Sequence, residues 1–531
     1  TADLLIVGDV RTMDPANPTA EAVAVRDGWI VGVGGRADLD GLVDPGTRML
    51  DLSEGTILPG FVEPHMHYWM SAMLDGWVDC SPRDGTGYGE ILDRLRAAGP
   101  IAEDWTLGQL YDPSLIEGNL ELTRDVLDEL VPDRPALVVN ASGHFVYVNS
   151  MAFERAGIDE DVADPPGGFF VRDHDGRLTG AVGEPGAIGM LLGVLPRKNQ
   201  AQVVDALVAI NRRAAAQGIT RTHDAGSGLL FGSQEHELLH AAVAAGARRI
   251  SYAVLDAAAD RVIVDGGLVP FAGDDDVRAL SWKFVTDGSN QGYSGYQYDP
   301  YVGRDGRGHP NYPLDELISR MELAVERGWQ VMVHANGDAA IGEAVEAYGA
   351  VLGDGLGGDA RCDGRHRVEH CSFATSDQLA AMAELGVSPS FLAGHVYYWG
   401  RAFRDDIVGA AKADRLDPFA TAVRHGLRFS MHCDYRVTEF EPLRMVQTAV
   451  TRRMRDGGEV LNPDECVSIE AAMRAITVDA AWQLHADDRL GSIEVGKYAD
   501  LAVLDADPFT TDPDGIADIG VLRTLIAGEE F

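Results

Sequence analysis

The chain has 531 residues, 46% hydrophobic and 24% charged, with 44 basic against 83 acidic side chains and a net charge of −39. So acidic a surface repels phosphate backbones and anionic lipid, which excludes nucleic acid and membranes as expected partners. No apolar run reaches the roughly 20 residues of a membrane span, and Thr1–Val7 lacks the basic start and long apolar core of a secretion signal.

In chain order, the first 58 residues read as short strands at Leu4–Val10, Ala22–Val25, Trp29–Val33 and Arg48–Leu52, separated by Gly-containing turns. Pro59–Val62 follows as an apolar strand. Residues 75–200 keep no regular rhythm beyond a strand at Ala136–Asn140, and read as an insertion carrying specificity loops. Further on, apolar strands alternate with amphipathic helices: Trp282–Thr286, Gln330–His334, Arg365–His370, Gly386–Ser390 and Leu427–Cys433 against Pro313–Arg327, Ile341–Leu352, Ser376–Leu385 and Asp417–His425. Near the end, Gly491–Asp500 reads as a hairpin, and Leu501–Leu504 and Val521–Ala527 as strands. Repeated βα units without a Gly-rich dinucleotide fingerprint predict an α/β protein with a (β/α)8 TIM-like barrel over 59–486. The insertion follows the first barrel strand, and residues 1–58 plus 487–531 are expected to form a small composite β-sandwich domain. Cys80, Cys362, Cys371, Cys433 and Cys466 are an odd set without CxxC spacing, which predicts free thiols in a reducing compartment, the cytoplasm by default.

His65 and His67 stand at i and i+2 after an apolar strand, so both side chains face one way and can chelate one metal ion; alone, the pair could equally be two loop histidines. Other strand ends carry the same signal: His334 after Gln330-Val-Met-Val, His370 after Arg365-His-Arg-Val-Glu, and Asp434 after Ser-Met-His-Cys. The parallel strands of a barrel finish at one rim, where these side chains would converge. Lys283 lies inside an otherwise apolar strand. Burial there lowers its pKa, and the neutral amine can react with CO2 to form a carbamate; pairing with Asp287 or Glu369 is the alternative.

With these residues in view, the chain resembles the amidohydrolase superfamily, specifically amidohydrolase family 3, the branch that includes N-substituted formamide deformylase. The matching segments are PGFVEPHMH, SGHFVYVNSMAFERAGI, KFVTDGSNQG, VHANGDAA, VEHC, the acid of MHCDY, and GSIEVGKYADLAVLD. The resemblance implies one or two divalent metals, zinc above all. His65, His67 and Asp434 would bind the more buried ion and His334 and His370 a second, with N-carboxylated Lys283 bridging. It implies hydrolysis of a non-peptide carbon–nitrogen bond, N-acyl or N-formyl, by metal-activated hydroxide, with Asp434 as general base and acid. A cyclic amide hydrolase, a deaminase or a metal-assisted decarboxylase would use almost the same ligands, and a non-catalytic barrel is the remaining alternative.

The expected partner is a small-molecule substrate; a homo-oligomer is compatible with this reading. Weaker substrate-binding candidates are His144, His223, Asp224, His395, Tyr398 and His432. His432 stands where relatives often carry another residue pattern before the acid, and packing is its other reading. Tyr68, Trp69, Tyr293, Tyr296, Tyr298, Tyr301, Tyr397, Tyr398 and Trp399 crowd the same rim, either as pocket lining or as packing.

Overall fold

Eight parallel strands make the central sheet of the computed structural model, which describes residues 1–353, 363–455 and 457–531. In chain and spatial order they are β1 (Phe61–Met66), β2 (Ile219–Ser227), β3 (Ile250–Leu255), β4 (Val277–Val285), β5 (Gln330–Ala335), β6 (Arg367–His370), β7 (Ser388–Phe391) and β8 (Ser430–Met431). Met66 and Tyr435 bridge the two ends of the series, and the His67 N–H donates to the Tyr435 carbonyl at 3.1 Å. The sheet is thereby nearly closed into the expected barrel. The strands are apolar and buried on both faces, as strands wrapped by helices must be.

Helices pack outside, and their ends follow local chemistry. Thr375 caps Ser376–Leu385 through a reciprocal pair with Gln378, and the helix stops at Gly386, whose φ of 69° suits glycine. Asp338–Leu352 begins three residues ahead of the sequence expectation, with Asp338 favourably placed at its positive end. Phe419–Arg424 is shorter than expected at both ends.

The first barrel strand also differs from expectation. Arg48–Pro59 is one twelve-residue strand of the terminal sheet, and the barrel strand starts only at Phe61. Gly60 makes the transition, because a Cβ there would come within 2.2 Å of Thr220 Oγ1. In the terminal sheet the spatial order is Glu529–Glu530, Val521–Ile526, Leu501–Leu504, Arg48–Pro59, Leu4–Arg11, Thr19–Arg26 and Trp29–Gly34. Apolar clusters cover its two faces. Gly491–Asp500 does not form the expected hairpin: it follows the Trp29 strand through single backbone contacts, with Ile493 and Ala499 turned into the core.

Between β1 and β2 lies a second sheet of six strands, ordered Phe169–Arg172, Leu178–Gly183, Phe145–Val148, Ala136–Asn140, Thr106–Tyr111 and Val78–Asp79. Among the described residues, no helix is long and apolar enough to cross a membrane. Cys80, Cys371, Cys433 and Cys466 are unbridged, while Cys362 lies outside the described residues.

Candidate active site

At the C-terminal rim of the barrel, His65 and His67 leave β1 on the same side. His67 Nε2 lies 3.2 Å from Asp434 Oδ1, and His65 Nε2 lies 3.5 Å from the same oxygen. His370 Nδ1 stands 3.9 Å from Asp434 Oδ2, and the His370 ring is 4.9 Å from that of His65 and 4.5 Å from that of His334. Lys283 Nζ lies 3.3 Å from His65 Nε2. His334 Nε2 lies 3.2 Å from the Gly288 carbonyl and from the Asn336 amide nitrogen, and 3.3 Å from Asp287 Oδ1.

Two features hold this geometry. His65 Nδ1 donates to Glu369 Oε2 at 2.5 Å, and Arg367 donates to both Glu369 oxygens at 2.7 and 2.8 Å. The carboxylate, held in place by the guanidinium, fixes the tautomer that leaves Nε2 with its lone pair toward the cavity. The second feature is backbone conformation. His370, Cys371 and Asp434 have φ of 65°, 51° and 49°, a region costly for residues with a Cβ. In a pleated strand Glu369 and His370 would face opposite ways; the left-handed turn at His370 brings both inside.

Electrostatics follow burial. Burial pulls the Lys283 ammonium down to about 8, against the opposing charges of Glu369 and Asp434. It also pushes His65 and His370 well below the usual imidazole range, keeping both neutral. Burial alone would raise Asp434, but His67, His432 and Lys283 reverse it and hold the carboxyl well below the ordinary range. Asp434 Oδ1 and His370 Nδ1 are nevertheless buried without a hydrogen-bond partner among the described residues. One ligand atom each from His65, His370 and Asp434 lies within 4.8 Å of the others. Neutral imidazoles and an ionised carboxylate aimed at a common point, rather than at one another, fit a divalent cation.

The cleft above them, about 250 Å³ with its open mouth included, is lined by Ser142, His144, Ser289, Gln291, His334, Asn336, His370, Leu392, His395, Asp434 and Val437. Ser142 and His144 come from the turn between two strands of the insertion sheet. His144 Nδ1 pairs with Glu184 Oε2 at 2.9 Å.

A profile described as the amidohydrolase family matches residues 48–530. This chain belongs to the amidohydrolase family. It is 28% identical to N-substituted formamide deformylase of Arthrobacter pascens over 552 aligned residues, covering 99% of this chain and 97% of that one. Among solved structures it resembles a metal-dependent hydrolase of Pyrococcus horikoshii, with a TM-score of 0.76, 19% identity and coverage of 96% and 99%. It also resembles atrazine chlorohydrolase TrzN of Arthrobacter aurescens, solved with zinc, at a TM-score of 0.54, 15% identity and coverage of 99% and 94%. The chain is thus a hydrolase on a barrel fold shared with those proteins.

In this amidohydrolase not every residue singled out by sequence reaches the cavity. His144 and His395 do. His223 does not: it points into the barrel one layer lower, with Ser251 Oγ at 2.9 Å and Met332 Sδ at 3.3 Å from its nitrogens. Asp224 braces the turn after His67, its carboxylate accepting from the Tyr68 N–H, the Gly226 N–H and the Ser227 hydroxyl. Gly226 is needed beside it, since a Cβ there would lie 2.7 Å from His67 Nδ1. Tyr398 lines a neighbouring pocket and donates to Glu441 Oε2 at 2.7 Å. His432 stacks on His65 at 4.5 Å, buried beneath the cavity floor.

The rim aromatics pack rather than line. Tyr68 and Trp69 bond Thr222 and Ser227, and Tyr301 and Trp399 fill a satellite core; among the described residues, histidine is the only ring type in the cavity wall. Sequence reasoning missed Glu369 as the brace of His65, and Glu184, Gln291 and Asn336. Asn336 was detectable: it follows the strand-end His334 within Ala-Asn-Gly-Asp, at the turn that every βα unit raises over the rim.

Proposed function

We propose that this amidohydrolase cleaves a non-peptide carbon–nitrogen bond, an N-formyl or small N-acyl amide, with one or two zinc ions held by His65, His67, Lys283, His334, His370 and Asp434. The observation that carries the proposal is the approach of His65 and His67 to Asp434 Oδ1, which is buried without a hydrogen bond, with His370 beside Oδ2. The kinship with the Arthrobacter pascens deformylase supports the bond type, and the zinc of the Arthrobacter aurescens protein supports the metal.

Held by these residues, zinc would supply Lewis acidity to the carbonyl and acidify water toward a pKa of ~7. The chain supplies the rest. Asp434 accepts the proton of the attacking water and returns it to the departing nitrogen, which turns a poor amide leaving group into a free amine. His144 and His395, both in the cavity lining, orient the scissile carbonyl. Near pH 8 a large share of Lys283 is neutral; its Nζ lone pair attacks CO2, an N–C bond forms, one N–H proton leaves to solvent, and the carbamate offers two oxygens as ligands. A small polar cavity with only Leu392 and Val437 as apolar lining suits a formyl better than a long acyl group.

The test joins metal analysis to a screen of N-formyl, N-acyl and cyclic amides, with amine, ammonia and carboxylate products measured separately. Release of an amine and formate, abolished by a chelator and restored by zinc, is the expected result. Chelator-insensitive turnover, or full activity of His65→Ala, would overturn the proposal.

A further inference from the structure

A second pair of histidines lies outside the barrel and takes no part in the reading above. His236 and His240 stand one turn apart on the helix Gln234–Ala244, so they share a face. Both are half-buried. Their Nε2 atoms are 3.3 Å apart, with ring planes at 83° and centroids at 4.7 Å. The other nitrogen of His236 is engaged: Nδ1 lies 2.8 Å from the hydroxyl of Tyr252, a buried residue of β3. On its opposite face the helix buries Leu238, Leu239 and Ala242, which fixes the backbone carrying both imidazoles.

The distance suits a shared cation. As a hydrogen bond between two nitrogens it would lie at the long end, since N–H donors reach even oxygen acceptors at about 2.7–3.2 Å. Two zinc–nitrogen bonds of about 2.0–2.1 Å at the tetrahedral angle set their nitrogens about 3.3–3.4 Å apart, whereas a right-angled octahedral pair sets them about 2.9 Å apart. A histidine that ligates a metal through one nitrogen is commonly held by a hydrogen bond at the other, which is the Tyr252 arrangement. Asp274 lies close enough to interact electrostatically with both imidazoles, and Glu237 adds negative charge beside His236.

We propose that His236 and His240 chelate a tetrahedral divalent ion of the zinc type, at a site separate from the barrel rim. Water completes its coordination on the exposed side. Bound there, the ion clamps the first two turns of the helix and steadies its packing against Tyr252.

The test uses full-length protein dialysed against micromolar free zinc chloride, with zinc counted per chain and thermal midpoints measured with and without zinc. Wild type should hold one zinc more than His236→Gln or His240→Gln and show a zinc-dependent rise in Tm that both variants lose. Tyr252→Phe should weaken that extra zinc by about 10- to 100-fold. With cobalt in place of zinc, the wild-type-minus-variant difference spectrum should carry the strong visible bands of a tetrahedral ion. Equal zinc content in wild type and both folded variants would overturn the proposal. So would an octahedral cobalt difference spectrum. The zinc count does not depend on any substrate, so it stands apart from the test of amide hydrolysis.

Discussion

Glu369 holds His65 from behind, with Oε2 2.5 Å from Nδ1, while Arg367 donates to both carboxylate oxygens. Replacing Glu369 with Gln removes the charge that orients the imidazole and leaves Arg367 facing a neutral amide. Metal retention, measured by competition with a chromogenic chelator, should fall by about 10- to 100-fold, the usual effect of losing such a brace. Unchanged retention would mean that His65 is not a ligand.

Asp434 is assigned the proton transfers. Asp434→Asn should lower kcat by about 10²–10⁴ at equal metal content, because a neutral amide cannot carry a proton between water and nitrogen. Single-turnover assays on metal-replete protein provide the check, and a kcat within a factor of two of wild type would remove the assignment.

Much of this constellation was legible because a few residues violate their surroundings. A lysine in the apolar run of β4 and histidines closing β1, β5 and β6 stand out against strands that otherwise want Val, Leu and Met. Glu369 was hidden for the opposite reason. An alternating reading of Arg367–His370 puts it across the strand from His370, and only the 65° φ at His370 brings both to one cavity. His223 misled because an inward position on a strand can belong to any layer of the barrel, and it sits a layer below the rim. The terminal sheet was read well where strands alternate, and poorly at Gly491–Asp500, where single backbone contacts replace a ladder.

His144 enters the cavity from the insertion, and Glu184 orients it at 2.9 Å. Glu184→Gln should weaken this hydrogen bond and reduce kcat/KM by about tenfold, corresponding to the ~1.5 kcal/mol of a charge-assisted bond. His144→Ala should lose at least as much, chiefly through KM if the role is carbonyl orientation. Steady-state kinetics of both variants will tell, and an unaltered kcat/KM in His144→Ala would exclude contact with substrate.

Stability should fall in mild acid through His366. Its buried Nδ1 accepts the Val331 N–H at 3.0 Å, and burial, followed by the nearby His485, depresses it to about 4. Between the unfolded value near 6.5 and the folded value near 4, the unfolded chain binds the extra proton. The contribution is therefore complete above pH 6.5 and is lost as pH falls toward 4, by about 2 kcal/mol at about pH 5. Urea unfolding of wild type and His366→Gln at about pH 7.5 and 5 should show the wild-type advantage shrinking by that amount. A pH-independent difference would contradict it.

The strand Arg48–Pro59 runs through Gly60 straight into β1, and its neighbour at Thr56–Pro59 is Leu501–Leu504. The His65–His67 segment is translated more than four hundred residues before this neighbour. Until then Thr56 and Ile57 are held on one side only, by Asp9 and Val10, and distant pairings of this kind form slowly. On the proposed function, an ion held from His65 to Asp434 could load only after all six ligands had been translated, so a prematurely terminated chain would leave no half-active enzyme behind.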